Sequence, residues 1–468
     1  MKLADIVQAL GVPSDDFQNL EISGLAIDSR KSFPGSLFVC LKGENADGHD
    51  FIADAIRGGA VAILSQRPLA NSSVPVIVVE DTVSALGEIA SLWRSRTSAK
   101  VVGITGTAGK TTLKESVGAI LSRKGITAKN PLNFNNQIGL PRSMLDSSGK
   151  ECFWVMEAGI SRPGDMETLG AILEPDMAII LNVGPGHLAG LGKRGVAWHK
   201  SRFLSFVKPG GCALLSADYP SLMEETAKFQ LKKFFFSTRA GVGDYYIEGT
   251  GKAPGSYRLC LAGQRLEVQT PFLSDFGAEI CIAAAAAAHI LGLGGDEIRA
   301  GFSGVTPPPH RFVPIRAGNW LLLDDTYNAN PLSMRRVISA GARHAADLQK
   351  EFVLVLGEMG ELGEESSELH RALGEYVAGH SPGAVFWVGK ESVALQNGLA
   401  KAGYKGFFAE AATPESFLKG LDYAWRIRPA LKEGGVMLFK GSRVNRLENF
   451  LDALLSSLGS RTEKSRVL

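Results

Sequence analysis

Short apolar runs alternate with amphipathic stretches along most of this chain. Residues 36–41, 61–64 and 74–79 are uninterrupted apolar or nearly so, as are 101–105, 153–157, 177–183 and 212–215, and later 352–356, 384–388 and 436–440. Runs of this length, without alternation, predict strands buried on both faces. Helix-period stretches lie between them. Strand and helix in alternation predict parallel sheets covered by helices, an α/β fold. Six alanines, Ala283 to Ala288, sit in a predicted helix ending near Gly292, a pattern for close packing rather than chemistry. Pro307-Pro308-Pro309 is a stiff break and the best hinge in the sequence. A second boundary is expected near 94–100, ahead of the strand at 101. Three domains follow, 1–96, 97–312 and 313–468.

The strand at 101–105 opens VVGITGTAGKTT. It ends in Gly106-Thr107-Ala108-Gly109, and Lys110, Thr111 and Thr112 follow. Leu113, Val117, Ile120 and Leu121 then mark one face of a helix. Strand, glycine turn, Lys-Thr and helix form the context of a P-loop. Backbone N–H groups there can curl around phosphate oxygens, and the helix N-terminus adds partial positive charge. Lys110 would reach the outer phosphates and the Thr111 hydroxyl would ligate Mg²⁺. Ile104 stands where the strict pattern has its first glycine.

Composition narrows the class. With 468 residues the chain exceeds one ordinary core, and 45% hydrophobic with 21% charged residues is globular. A net charge of +2 gives no reason to expect a nucleic-acid partner. No run of eighteen apolar residues occurs, so no membrane span is expected. MKLADIVQAL lacks the pattern of a signal peptide, and 461–468 reads as a frayed tail. Cys40, Cys152, Cys212, Cys260 and Cys281 are scattered, mostly in apolar runs. They read as buried thiols of a cytoplasmic protein.

Ligands of open α/β sheets gather at the carboxyl ends of strands. Glu157 closes FWVME, and His187 lies just beyond MAIILNV; both could reach a metal there. By composition Lys200 is an ordinary solvated charge. Asp324-Asp325-Thr326-Tyr327-Asn328-Ala329-Asn330-Pro331 follows an apolar strand. It is either a site or an Asx-rich turn before a helix starting at Pro331 or Leu332. Lys440-Gly441-Ser442-Arg443 is a second basic turn, able to bind an anion or simply to end a strand.

Together these motifs resemble the Mur ligases, ATP-dependent amino-acid ligases of peptidoglycan precursor synthesis. The resemblance covers nearly the whole chain. Asp28-Ser29-Arg30-Lys31, residues 34–39, Gly43 and Asp47-Gly48-His49-Asp50-Phe51 are similar to the UDP-sugar domain of two members. The turn at 324–331 with Ser333-Met334, Asn135-Asn136-Gln137-Ile138-Gly139, Leu356-Gly357-Glu358-Met359 and Lys440-Gly441-Ser442-Arg443 are similar to the member that adds D-alanyl-D-alanine. The resemblance implies a UDP-sugar domain, a central P-loop ATPase domain with a parallel sheet, and a Rossmann-like C-terminal domain. It implies nucleotide contacts at Gly106, Thr107, Ala108, Gly109, Lys110, Thr111, Thr112, Arg311 and Asn328. Substrate contacts are implied at Ser29, Arg30, Lys42, Gly43, Asp47, His49, Asn135, Asn136, Asp325, Tyr327, Lys440, Ser442 and Arg443. Lys110, Lys200, His187 and Glu157 become the catalytic set. Thr111 and Glu157 would hold one Mg²⁺. His187 and Lys200, the latter as a carbamate, would hold a second. A cytoplasmic monomer is expected.

The implied reaction passes the γ-phosphate of ATP to the terminal carboxylate of UDP-N-acetylmuramoyl-tripeptide, and the amine of D-alanyl-D-alanine attacks the acyl phosphate. Asp325 and Glu157 are candidate bases on chemistry alone. Closure about 307–312 would bring the C-terminal residues to the P-loop, from an open form without ligand. The sequence also departs from the family. Where members commonly carry Gly-x-His-Asn-x-x-Asn, this chain has Glu279, Ile280 and Ala283. Ala189 replaces a glutamate, and Arg202 stands at an often acidic position. Alternatives are a ligase adding the third amino acid, or glutamates to folate, and a degenerate P-loop nucleotide-binding protein. The Tyr-Asn-Ala-Asn-Pro turn argues against the first two. ATP turnover with and without both substrates separates the third.

Overall fold

Each apolar run read as a strand contributes a strand to one of three sheets. The computed structural model describes residues 1–13, 20–184, 191, 194–251, 253–272 and 275–459. The first sheet is parallel, in the order β1 (Gly24–Ala26), β2 (Ser36–Val39), β3 (Ala60–Ser65), β4 (Val76–Val78). The central sheet contains β5 (Lys100–Thr105), β6 (Thr127–Lys129), β7 (Phe153–Glu157), β8 (Met177–Ile180) and β9 (Cys212–Ser216). It continues through β10 (Lys232–Ser237), β11 (Tyr245–Thr250), β12 (Ser256–Leu261) and β13 (Gln264–Gln269). Its order is β13-β12-β11-β10-β9-β8-β5-β7-β6. The third sheet contains β14 (Val313–Ala317), β15 (Trp320–Asp325), β16 (Glu351–Gly357), β17 (Ala384–Val388), β18 (Phe407–Glu410) and β19 (Gly435–Lys440), ordered β14-β15-β19-β16-β17-β18.

β5 shows why its sequence is apolar throughout. Val102 and Ile104 face one core, with Leu113, Val117 and Ile120 of the helix Lys110–Leu121 and the alanines of the helix Asp275–Ile290. Val101 faces the opposite core, with Trp154, Met156 and Phe203. A strand covered on both faces has no solvent side on which to alternate. Gly103 lies against Phe203, whose ring would come within 2.5 Å of an added Cβ. The alanines are fully buried, as small residues allow a close helix approach.

Three features depart from the sequence reading. The sheets are not wholly parallel: β11, β12 and β13 form an antiparallel meander, and β14 runs antiparallel to β15. Residues of β13 alternate between exposed and buried, so an apolar-run criterion passes over it. The run 177–183 also leaves the sheet early, at Ile180, so Asn182 lies in the loop beyond β8. Among the thiols, Cys40, Cys260 and Cys281 are buried, but Cys152 is exposed and Cys212 half-buried, since both sit at strand starts near the sheet margin.

The first unit is fastened to the second by the helix Thr82–Arg96, whose N-terminus is capped by Asp81. Arg94, 2% exposed, crosses into the central unit. It donates to the carbonyls of Leu173 and Glu174 and pairs with Asp176 at 2.9 Å. The linker to the third unit is held differently. Asp324 Oδ2 lies 2.8 Å from His310 Nδ1, and Asp325 Oδ1 accepts the Phe312 N–H. His310 and Phe312 both have positive φ, 60° and 56°, an uncommon conformation for such residues. The expected pivot at 307–312 is thus fixed to the third unit at 310–312, leaving the prolines and the residues before them to bend.

Candidate active site

The carboxyl ends of β5 and β7 meet the C-terminal unit across a cavity of about 670 Å³. Its walls include Thr107 to Thr112, Asn135, Asn136, Glu157, Arg311, Asp325, Tyr327, Asn328 and Lys440. Gly106 lies just outside that lining, at the start of the turn. Gly109 has φ +79°, a left-handed conformation at the helix N-terminus, and a Cβ there would press on Ile280 and Leu181. The first amides of the helix Lys110–Leu121 have no partners within the helix, and its first three residues line the cavity. Asn182 shapes the other side of the turn: its Oδ1 accepts the Thr107 and Ala108 N–H groups, both at 3.0 Å.

Thr111 donates its hydroxyl proton to Glu157 Oε2 at 2.8 Å, and Asn135 Nδ2 donates to Glu157 Oε1 at 2.6 Å. Asn130 fixes the backbone of Glu157 through its N–H and carbonyl. The Lys110 amine lies over the turn, 2.9 Å from the Gly106 carbonyl. Burial lowers the Lys110 pKa, with Arg311 adding to the effect and Glu157 opposing it. Lys200 is 1% exposed, beside these groups in charge if not in the cavity lining. Burial and then the Lys110 charge hold its pKa well below the usual lysine value, against Glu157. His187 and Ala189 lie outside the described residues.

The C-terminal unit supplies the opposite wall. The Arg311 guanidinium stacks 3.9 Å from the Tyr327 ring centre and reaches Thr111 Oγ1 at 3.4 Å. Lys440 is buried, with its amine 2.5 Å from Asp325 Oδ2 and 2.9 Å from the Asn328 carbonyl. Burial lowers the Lys440 pKa while Asp325 opposes. Asp325 therefore has one oxygen on Lys440 and the other on the Phe312 N–H, so both are engaged. Asn330 caps the helix Pro331–Asp347 and also donates to the Thr107 carbonyl at 3.3 Å. The turn at 324–331 is both an Asx-rich helix start and a cavity wall.

The remaining sequence candidates lie apart. Ser442 bonds Asn445, and exposed Arg443 pairs with Glu448; neither lines the cavity. Asn136 is the exception: it lines the cavity and accepts the Gly139 N–H at the start of the helix Gly139–Leu145. Ser29 and Arg30 follow β1, while Lys42, Gly43, Asp47 and His49 follow β2, at carboxyl ends of the first sheet. Asp28 holds Arg30 at 2.8 Å, and Lys42 bridges to Asp47. His49 Nε2 accepts the Gln66 N–H, so the proton of the neutral ring sits on Nδ1, 2.5 Å from Asp47. Arg202 lies 3.6 Å from Glu167, where two charges balance. Sequence reasoning flagged Glu279 only as a departure from the family pattern, gave it no partner, and missed Asn182 and Arg336. Asn182 follows an apolar run beside the P-loop strand, which was a usable signal; the other two meet only through tertiary structure.

Three family models match in succession: Mur ligase family, catalytic domain (21–94), Mur ligase middle domain (104–288) and Mur ligase, glutamate ligase domain (310–443). UDP-N-acetylmuramoyl-tripeptide–D-alanyl-D-alanine ligase of Escherichia coli (strain K12) is 33% identical, over 93% of this chain and 94% of its own. Its counterpart from Bacillus subtilis (strain 168) is 29% identical, over 97% and 98%. A crystal structure of MurF from Acinetobacter baumannii superposes with a TM-score of 0.85 at 28% identity, covering 97% of this chain and 98% of that one. MurF ligase from Thermotoga maritima in complex with ADP gives 0.81 at 30% identity, over 95% and 99%. With full-length likeness in both sequence and fold, and a P-loop facing a second unit across one cavity, the chain belongs to the Mur ligase family.

Proposed function

We propose that this protein is the ATP-dependent, ADP-forming ligase that joins D-alanyl-D-alanine to UDP-N-acetylmuramoyl-tripeptide in the cytoplasm. The observation that carries the reading is the meeting of Thr107–Thr112 and Glu157 with Arg311, Asn328 and Lys440 in one cavity, in a chain alike end to end to ligases of that name. The domain division at 96 and 312 belongs to the same reading, with the UDP-sugar bound near Ser29, Lys42 and His49. A monomer belongs to the same reading.

In the first step the γ-phosphoryl group moves from ATP to the tripeptide carboxylate, giving ADP and an acyl phosphate. In the second the dipeptide amine attacks the acyl carbon, phosphate leaves, and the amine gives up its proton. The chain's work is positioning and charge neutralisation. The helix N-terminal amides and Lys110 take the phosphate oxygens. Arg311, held flat by Tyr327, brings a fixed positive charge to the same place. Asp325 and the Asn328 carbonyl aim Lys440 into the cavity from the opposite wall. The seated C-terminal unit keeps water from the acyl phosphate.

Thr111 and Glu157 fit Mg²⁺: a hydroxyl and one carboxylate oxygen lie 2.8 Å apart, and Mg²⁺ takes few protein ligands beside phosphates and water. Bound there, it would neutralise charge on the phosphates. Lys200 suits a carbamate, because burial favours the neutral amine that reacts with CO₂. That anion, with His187, would complete a second Mg²⁺ site. The test is phosphate release by the purified protein. Release should require both UDP-tripeptide and dipeptide; equal release without the dipeptide would overturn the reading.

A further inference from the structure

Glu279 sits at the centre of a buried hydrogen-bond network. It lies on the helix Asp275–Ile290, and its side chain is 3% exposed. Four donor contacts converge on its two oxygens. Arg336, from the C-terminal helix Pro331–Asp347, places Nη1 2.7 Å from Oε2 and Nη2 3.0 Å from Oε1. The Tyr219 hydroxyl donates to Oε1 at 2.8 Å. Asn182 Nδ2 donates to Oε2 at 2.8 Å. That same Asn182 amide donates to the Ala108 carbonyl at 3.0 Å, and its Oδ1 takes the Thr107 and Ala108 N–H groups. A continuous hydrogen-bonded chain thus runs from the C-terminal unit, through Arg336, Glu279 and Asn182, to the backbone of the P-loop.

We propose that Glu279 is a positioning residue that couples seating of the C-terminal unit to the shape of the P-loop. Bidentate pairing with Arg336 neutralises a carboxylate that is otherwise desolvated. With Arg336 away, that anion must take solvent, a proton or a new partner, and its hold on Asn182 changes with it. Asn182 sets whether Thr107 and Ala108 are fastened back, leaving the amides of Gly109 to Thr112 aimed at phosphate. The C-terminal unit also touches the loop through Asn330 on the Thr107 carbonyl and Arg311 on the Thr111 hydroxyl. The proposal rests on the P-loop being the nucleotide site, and its first test needs no turnover.

The experiment uses the full chain with Glu279→Gln, Arg336→Met and both together. Backbone hydrogen exchange of the peptide spanning 104–112 is followed without nucleotide, beside thermal melting. Faster exchange in that peptide in all three variants, with melting retained, is the expected result. If Glu279→Gln fails to fold, Arg336→Met, at a half-buried helix position, carries the test alone. In steady-state assays the KM for ATP should rise about 10-fold in each single variant, with kcat changing far less. The double variant should be no worse than the poorer single one, as for residues acting through one contact. Unchanged loop exchange, or effects that multiply in the double variant, would overturn the coupling. Absence of ligase activity in the wild type would instead strike the proposed reaction and leave the exchange result standing.

Discussion

Lys110 reaches back over the turn to the Gly106 carbonyl, a contact its amine can exchange for a phosphate oxygen. Lys110→Ala should lower kcat on the order of 10²-fold or more, as with other fixed charges aimed at a transferring group. The circular dichroism spectrum should stay intact, because the side chain is not part of the core; near-normal turnover would count against the P-loop role. Lys200 differs because it is fully buried. Lys200→Ala should abolish turnover, and formate or acetate should restore part of it by supplying the missing anion. Bicarbonate depletion should also slow the wild type. No recovery and no bicarbonate dependence would leave Lys200 a plain ammonium. At this scale the sequence was readable wherever chemistry sits on consecutive residues, as at 106–112 and 324–331. It was mute for Glu279 and Arg336, which are 57 positions apart and acquire meaning only as a pair.

Strands buried on both faces announced themselves, as β5, β7, β17 and β19 show, because each residue in them must be apolar. The one-sided meander β11–β13 did not, because half of β13 points to water. Tight element packing predicts a cost for added bulk. Gly103→Ala should destabilise the protein by about 1–3 kcal/mol, the usual range for overpacking, through the Phe203 ring. A lowered denaturant midpoint would register it, and an unchanged one would show that Phe203 can give way. Asp176 makes a pH-dependent contribution at the start of β8. Burial alone would raise its pKa, but the Val101 N–H, Lys100 and Arg94 outweigh this and bring it below 3.8. The unfolded chain then binds the proton more readily, so stability from this group is complete above that value and fades as pH falls through the folded pKa. Asp176→Asn should cost about 1–3 kcal/mol near neutral pH, the worth of a charged hydrogen bond. Its deficit relative to wild type should shrink below pH 4 in urea titrations. A deficit independent of pH would assign the loss to packing.

At the scale of the molecule, Asn328, Lys440 and Arg336 reach the P-loop side only because the C-terminal unit is seated against the central one. The arrangement described is the compact one of the two that hinge closure would connect. Small-angle scattering should show the radius of gyration falling, or staying at the compact value, when a non-hydrolysable ATP analogue and UDP-tripeptide are added. An increase would contradict closure. The division into three units was legible from Pro307-Pro308-Pro309 and the onset of the strand at 101. How firmly each pair is joined was not, because Arg94 looks like any helix-terminal arginine until its partners are known. Its burial has a calorimetric consequence. If the first sheet melted alone, Asp176 and two carbonyls would be left without the cation they enclose, inside a unit still folded. The two units should therefore absorb heat together, as one cooperative block. The C-terminal unit, joined through a polar cavity and a short linker, is expected to give a separate endotherm. Substituting Arg94 by Met should split the shared peak and turn two heat-absorption events into three.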